Sequence, residues 1–312
     1  MRIRENPQVP ANAPTRCGRF APSPTGPLHF GSLVTAVASF CEARTHGARW
    51  LLRIEDVDAP RTVRGAADQQ ISALAALGFE WDGPIVYQSR RTEAYVAALE
   101  RLLASASVFP CACTRKEIAD SQTRSMTPTD ELVYPGTCRN GIPPGRSPRA
   151  IRVRAGSGTI EFDDALQGHI RQNLSNDIGD FVVRRADGLF AYQLAVVVDD
   201  AEAGVTDIVR GADLLGSTPR QIHLQRLLAY PLPRYAHVPV AVNQAGEKLS
   251  KKTLAPAIDP KDGPRALLCA FSFLGQDVPG ELGRASVNEL WQWAFAHWSL
   301  DRVPRLRSIH AG

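Results

Sequence analysis

Apolar positions along the chain fall into short runs of two different periods. Residues 16–21 read as a short strand that Pro22, Pro24, Gly26 and Pro27 break, the pattern of a strand running into a tight loop. From about 31 to 45 apolar residues recur at helical spacing, with Leu33, Val37 and Phe40 on one face and Gly47 as the stop. Residues 49–54 (RWLLRI) then predict a buried strand. Strand, helix and strand in such quick succession make a βαβ unit, hence a parallel sheet with a right-handed crossover. Helices are predicted near 63–77, stopped by Gly78, and near 92–106, where Val96, Leu99 and Leu103 share a face.

The alternation breaks at residues 108–155, a stretch rich in Pro, Gly and Ser. Strands are expected again near 190–198 and 205–210. Ser217 is placed to cap a helix reaching Tyr230, with Pro219 in its first turn. A strand near 237–242 leads into the loop 243–248, and helices are predicted near 264–274 and 287–297. Residues 1–15, with three prolines and no periodicity, read as a flexible lead. There is no internal repeat and no low-complexity tract.

Composition narrows the class. The chain has 312 residues, 44% of them hydrophobic and 22% charged, which excludes disordered and coiled-coil classes. No apolar run approaches the ~20 residues of a spanning helix, and the start lacks the apolar core of a secretory signal. A cytoplasmic protein that does not contact a membrane is the expectation. The net charge of +4 is uneven: residues 101–154 carry nine Lys/Arg against four acids. That surplus suits a phosphate backbone, although a solvated loop region has the same composition. Of six cysteines, Cys111, Cys113 and Cys138 gather inside the irregular stretch, a spacing that suggests metal rather than disulfide in a reducing compartment. Cys17, Cys41 and Cys269 read as ordinary packing.

Two constellations carry chemistry. Residues 19–33 (RFAPSPTGPLHFGSL) put a proline-rich loop between a strand end and a helix start, at the edge where open α/β sheets bind ligands. The helix N-terminus there offers amides and a positive dipole end to phosphate, with His29 just before it and Gly31 allowing close approach. The second is Lys248-Leu-Ser-Lys-Lys252 after Gly246. Alone, His29 reads as a surface histidine and the lysines as a solvated basic loop.

Together the two resemble the signatures of class I aminoacyl-tRNA synthetases. Leu28-His-Phe-Gly-Ser32 stands for HIGH, with Ser32 in place of its last His, and residues 248–252 stand for KMSKS, with Lys252 in place of its last Ser. The blocks RFAPSPTG (19–26), RIED (53–56), VRG (209–211) and STPRQ (217–221) are similar to the glutamyl branch. That branch carries a large anticodon-binding domain after KMSKS, whereas 60 residues follow Lys252 here. The shortened relatives are the glutamyl-Q tRNA(Asp) synthetases, which attach glutamate to the queuosine base in the anticodon loop of tRNA(Asp).

The resemblance implies an α/β fold. A Rossmann-type parallel-sheet nucleotide-binding catalytic domain (16–107 and 156–255) would carry a zinc-binding, acceptor-type insertion (108–155) and a short helical C-terminal region (256–312). It implies glutamate binding by Arg19, Phe20, Ala21, Pro22, Ser23, Glu55, Tyr192 and Arg210, with Glu55 on the α-ammonium. ATP binding falls to His29, Gly31, Ser32 and Lys251, and catalysis to His29, Lys248 and Lys251, with Mg²⁺ accompanying ATP. One structural Zn²⁺ is implied on Cys111, Cys113, Cys138 and Tyr134. Outside the resemblance, Glu55 and Arg210 would read as a structural ion pair and Tyr192 as a core residue of an apolar strand. Asp199 and Asp200, at the expected end of that strand, suit Mg²⁺, ribose, a cap or a turn.

The partners implied are queuosine-bearing tRNA(Asp), L-glutamate and ATP, acting on a monomer. Other readings remain: a truncated synthetase core esterifying a tRNA 3′ end, a non-catalytic zinc-containing tRNA-binding protein, or another HIGH-type nucleotidyltransferase.

Overall fold

The computed structural model describes residues 16–121, 133–249 and 257–311; the expected flexible lead lies outside the described residues. The elements are, in chain order, β1 (Cys17–Phe20), α1 (Phe30–Thr45), β2 (Arg49–Ile54), α2 (Ala66–Ala76), β3 (Val86–Tyr87) and α3 (Thr92–Ala104). Then come β4 (Val108–Cys111), α4 (Arg115–Ser121), β5 (Ala150–Val153), β6 (Thr159–Asp164), β7 (Gly168–Asn173) and β8 (Phe181–Arg184). The remainder is α5 (Tyr192–Glu202), β9 (Asp207–Gly211), α6 (Thr218–Leu227), β10 (Arg234–Val238), β11 (Val240–Val242), α7 (Gly263–Phe273), α8 (Val287–His297) and β12 (Ser308–His310).

The expected βαβ unit is present: β1 pairs parallel with β2, and β2 with β3. Strand β9 comes alongside β1, where the Thr206 amide donates to the Cys17 carbonyl at 2.9 Å. Strand β10 runs parallel to β9 and to the end of β6, and β6 turns back antiparallel into β7. Strands β4, β5 and β8 form a separate antiparallel sheet under the irregular stretch. No described helix is long and apolar enough to cross a membrane.

Two sequence expectations change. Residues 190–198 do not form a strand: Tyr192–Glu202 is a helix, with every residue from Leu194 to Asp200 buried. Packed against both α3 and α6, it is buried from Leu194 to Asp200 and displays no helical period there, and three consecutive valines imitate a strand. In α3 the buried face is Tyr95, Ala98, Leu99 and Leu102, while Val96 and Leu103 are exposed. The shared 3–4 residue spacing let either stripe fit; Tyr95 is drawn inward because its hydroxyl donates to Asp199 at 2.8 Å.

The C-terminal helices are packed onto the first βαβ unit. Phe40 of α1 lies against Trp50, Phe79, Trp291 and Phe295, with ring centroids 4.8–5.4 Å apart, inside one aromatic core. The Trp291 indole donates to the Leu77 carbonyl at 2.8 Å. Gly78 permits this approach: it has φ +75°, and a Cβ there would sit 2.7 Å from Val287 and 3.0 Å from Trp291. The chain then adds β12 parallel to β11, a strand the sequence reading did not anticipate.

Candidate active site

Arg19 and Phe20 end β1, and Ala21, Pro22 and Ser23 begin the loop beyond it. That loop is fixed by its neighbours. The Glu55 amide donates to the Pro22 carbonyl at 2.9 Å, and the Gln70 side chain donates to the Ser23 and Gly26 carbonyls at 3.1 and 2.7 Å. Prolines supply no amide donors, so these carbonyls need partners from outside the loop.

Beneath the loop lies a network of buried charge. Asp200 accepts from Arg19 Nε at 3.2 Å and from Arg53 Nη1 at 2.6 Å, and Arg53 Nη2 donates to Glu55 at 3.2 Å. Burial alone would push the Asp200 carboxyl up; Arg19 and Arg53 overcome it and hold the group below the usual carboxylate range. Glu55 goes the other way, since burial raises it despite the pull of Arg53 and Arg19. Asp199 accepts from Gln88, Arg91 and Tyr95 at 2.5–2.8 Å. Both aspartates are therefore helical and fully committed to side chains, which replaces the strand-end metal, ribose, cap or turn roles expected of them. Glu55 is an ion-pair member, as one reading of the sequence had it, yet it also lines the cavity.

Arg210 is not part of an ion pair with Glu55. On β9 and 3% exposed, it donates from Nε to His237 at 3.0 Å and from Nη2 to Thr218 at 2.8 Å, while its buried Nη1 has no partner. Tyr192 opens α5 rather than a strand and stands half-buried beside the same space; burial raises its phenol.

Across the cavity, His29 is the N-cap residue of α1, and its carbonyl accepts from the Ser32 and Leu33 amides at 2.9 and 3.0 Å. The Ser32 hydroxyl lies 3.2 Å from His29 Nε2. A Cβ at Gly31 would come within 3.3–3.4 Å of the His29 ring and of the Leu249 carbonyl. Residues 240–249 form a turn held by the Leu249 amide on the Ala241 carbonyl and the Asn243 amide on the Glu247 carbonyl. This places Lys248 at the rim, 2.5 Å from Asp213. Lys251 and Lys252 lie outside the described residues. The chain returns beside the histidine, where the Ile258 amide donates to the Leu28 carbonyl at 2.9 Å.

One cavity of about 500 Å³ unites these groups. Arg19, Phe20, Ala21, Pro22, Ser23, Glu55, Tyr192 and Arg210 line one part, and His29, Gly31, Ser32 and Lys248 another. Every sequence-named residue of the two ligand sites other than Lys251 thus meets in a single space. Sequence reasoning missed Gln70, Asp213 and His237, and the roles of Asp200 and of Thr218, which lies in the STPRQ block; each acts through a contact formed only on folding.

A second cluster sits in the insertion. The three Sγ atoms of Cys111, Cys113 and Cys138 lie within 4.8 Å of one another, with Cys113 and Cys138 at 3.7 Å. The Tyr134 hydroxyl is 3.4 Å from Cys111 Sγ and 3.6 Å from Cys113 Sγ. A tetrahedral Zn²⁺ with ordinary bond lengths needs sulfurs ~3.8 Å apart and an oxygen ~3.5 Å from them. The Cys113–Cys138 pair and both Tyr134 separations match this, and the three sulfurs, spread over up to 4.8 Å, would close in around such an ion. Arg152 donates to Cys111 Sγ at 3.3 Å and lies over the Tyr134 ring at 4.1 Å, a cation that would favour the thiolate form a metal requires. Of the remaining cysteines, Cys17 and Cys41 are buried in the core, whereas Cys269 is exposed, contrary to the packing role expected of it.

Known proteins align with this arrangement. The sequence model of the family described as tRNA synthetases class I (E and Q), catalytic domain, matches residues 17–274. A glutamyl-Q tRNA(Asp) synthetase of Aromatoleum aromaticum is 62% identical over 293 residues, covering 94% of this chain and 92% of that protein. One from Dechloromonas aromatica is 59% identical over 294 residues, covering 94% of this chain and 97% of that protein. In three dimensions, a glutamate-tRNA synthetase from Elizabethkingia anophelis shares the fold with a TM-score of 0.77 at 23% identity, over 95% of this chain and 68% of that one. The chain belongs to the class I tRNA synthetase catalytic-domain family and, within it, to the glutamyl-Q tRNA(Asp) synthetases.

Proposed function

We propose that the cavity binds L-glutamate beside ATP, joins them as glutamyl-adenylate, and delivers the glutamate to the queuosine base of tRNA(Asp). The chain is a ligase-type enzyme of that family. The observation that carries the reading is Arg210: a buried guanidinium with an unpartnered nitrogen, in a cavity that also presents a carboxylate and a helix N-terminus. Glutamate has two carboxylates and one ammonium. Arg19, Arg210 and Glu55 offer complementary charges, and Arg210 Nη1 is the nitrogen left to donate to a carboxylate.

In the chemical step a glutamate carboxylate oxygen attacks the α-phosphorus of ATP and pyrophosphate leaves. No protein nucleophile is required, so the protein supplies positioning and charge. His29 and the first turn of α1 receive phosphate oxygens, and Lys248 and Lys251 meet the charge that spreads toward pyrophosphate, a load shared by the Mg²⁺ that enters with ATP. A nucleophile of the tRNA base then attacks the adenylate carbonyl and AMP leaves. Cys111, Cys113, Cys138 and Tyr134 would hold one structural Zn²⁺, which supplies the insertion with a cross-link in place of a large core.

ATP–pyrophosphate exchange tests the first half. Exchange that requires glutamate, and that glutamine and aspartate do not support, is the expected result. Exchange indifferent to the amino acid would overturn it.

A further inference from the structure

Arg210 reaches the cavity on a strand whose neighbours carry two more buried polar side chains. His237 is its register partner on β10, and Asp164 ends β6, paired with β10 through Tyr235. None of the three is more than 3% exposed. Asp164 Oδ2 lies 2.5 Å from His237 Nδ1, and His237 Nε2 lies 3.0 Å from Arg210 Nε. Asp164 is itself fixed by the amides of Leu166, Gln167 and His237, which donate to Oδ1 at 3.1, 2.9 and 3.1 Å.

An arginine nitrogen is only a donor, so His237 Nε2 must be the acceptor and its proton must sit on Nδ1, facing the carboxylate. Thr218 closes the other side: its hydroxyl accepts from Arg210 Nη2 and lies 3.4 Å from the Leu214 carbonyl. With Nε and Nη2 both engaged, the guanidinium plane has one orientation, and Nη1 is the nitrogen left over. A free arginine samples many rotamers; this one, part of the cavity wall, is held in one orientation before any ligand arrives, which removes an ordering cost from binding.

We propose that His237, held in one tautomer by Asp164, is a positioning residue that aims Arg210 Nη1 at a carboxylate of the amino-acid substrate. It touches no reacting atom. The inference rests on the reading that the cavity takes glutamate, and the two can fail separately.

The test uses the full chain and glutamate-dependent ATP–pyrophosphate exchange. His237→Leu, which cannot accept a hydrogen bond, is expected to raise the glutamate KM on the order of 10–100-fold, with the ATP KM unchanged and kcat much less affected. His237→Gln restores an acceptor near the Nε2 position and is expected to recover most of the loss. A glutamate KM unmoved in the Leu variant, equal impairment in both variants, or a joint rise of the ATP and glutamate KM would overturn the positioning role. Nitrogen NMR of the unaltered, histidine-labelled protein gives an answer independent of whether the variants fold. A bare Nε2 and protonated Nδ1 at His237 support the proposal, and a protonated Nε2 overturns it. Absence of exchange in the unaltered protein would instead count against glutamate as the substrate and leave the tautomer measurement to decide the relay.

Discussion

Folding tolerates a buried guanidinium nitrogen without a partner only where something else completes it, because an unsatisfied buried donor costs about 1–3 kcal/mol and more when charged. At Arg210 the proposed missing partner is a carboxylate of the amino-acid substrate. Arg210→Lys retains the charge but not the planar fork, nor the Nε that meets His237, so the glutamate KM is expected to rise about 100-fold while the ATP KM holds. Steady-state exchange kinetics check this; an unchanged glutamate KM would contradict it. Glu55 gives a pH signature. Only its charged form pairs with an ammonium, and burial raises its carboxyl above the ordinary value of 4.5. Its charge is therefore lost, as pH falls, at a higher pH than for a solvent-exposed glutamate, and the apparent affinity for glutamate should fall with it. Glu55→Gln is expected to bind glutamate weakly at neutral pH and to lack that acid limb. At this scale the sequence was legible where a residue belongs to a motif, as Arg19, His29 and Arg210 do. It was silent where a residue acts through a distant partner: Asp200 and His237 lie 181 and 27 positions from the arginines they hold.

Strand ends and helix starts did most to place these groups, and they were readable because Pro, Gly and apolar spacing mark them locally. The long helix α1 begins within a residue of its expected start, and α8 spans the expected 287–297. The reversal at α5 shows the limit: a helix buried on all sides and a buried strand look alike in sequence. The turn at 240–249 places Lys248 at the cavity rim, from which the chain continues toward Lys251. If Lys251 meets charge in the transition state, Lys251→Ala is expected to slow exchange by ~10²–10³, and a loss below about threefold would remove it from that role. In the insertion, three of the four proposed metal donors, Cys111, Tyr134 and Cys138, make up half of a six-residue buried cluster, with Phe109, Ala112 and Ile118. Chelation should release about one zinc per chain and open the 108–155 stretch to protease while the catalytic sheet stays folded. Protein that carries no zinc before chelation would contradict this. The basic surplus of the same stretch is less available than its charge count suggests: Arg139 is bound to Asp180, Arg146 to Glu117, and Arg152 to Cys111 and the Asp180 carbonyl.

Across the whole molecule, the motif blocks are far apart in sequence and meet at one sheet edge, the arrangement the βαβ pattern implied. The C-terminal region was legible as helices but not as part of the catalytic core, since its partner surface is formed by residues some two hundred positions earlier. Trp291, 4% exposed and bound to the Leu77 carbonyl, ties the two together. Trp291→Ala is expected to cost about 3–5 kcal/mol of stability, read as a drop in the denaturation midpoint, and a loss under about 1 kcal/mol would mean the contact is dispensable. The central claim concerns the acceptor, and it is tested most directly by transfer of labelled glutamate, with ATP and Mg²⁺, onto two pools of total tRNA. One pool contains queuosine and the other comes from cells unable to make it. Label on the queuosine pool alone is the expected result. Equal label on both pools, marking 3′-end esterification, would contradict the account.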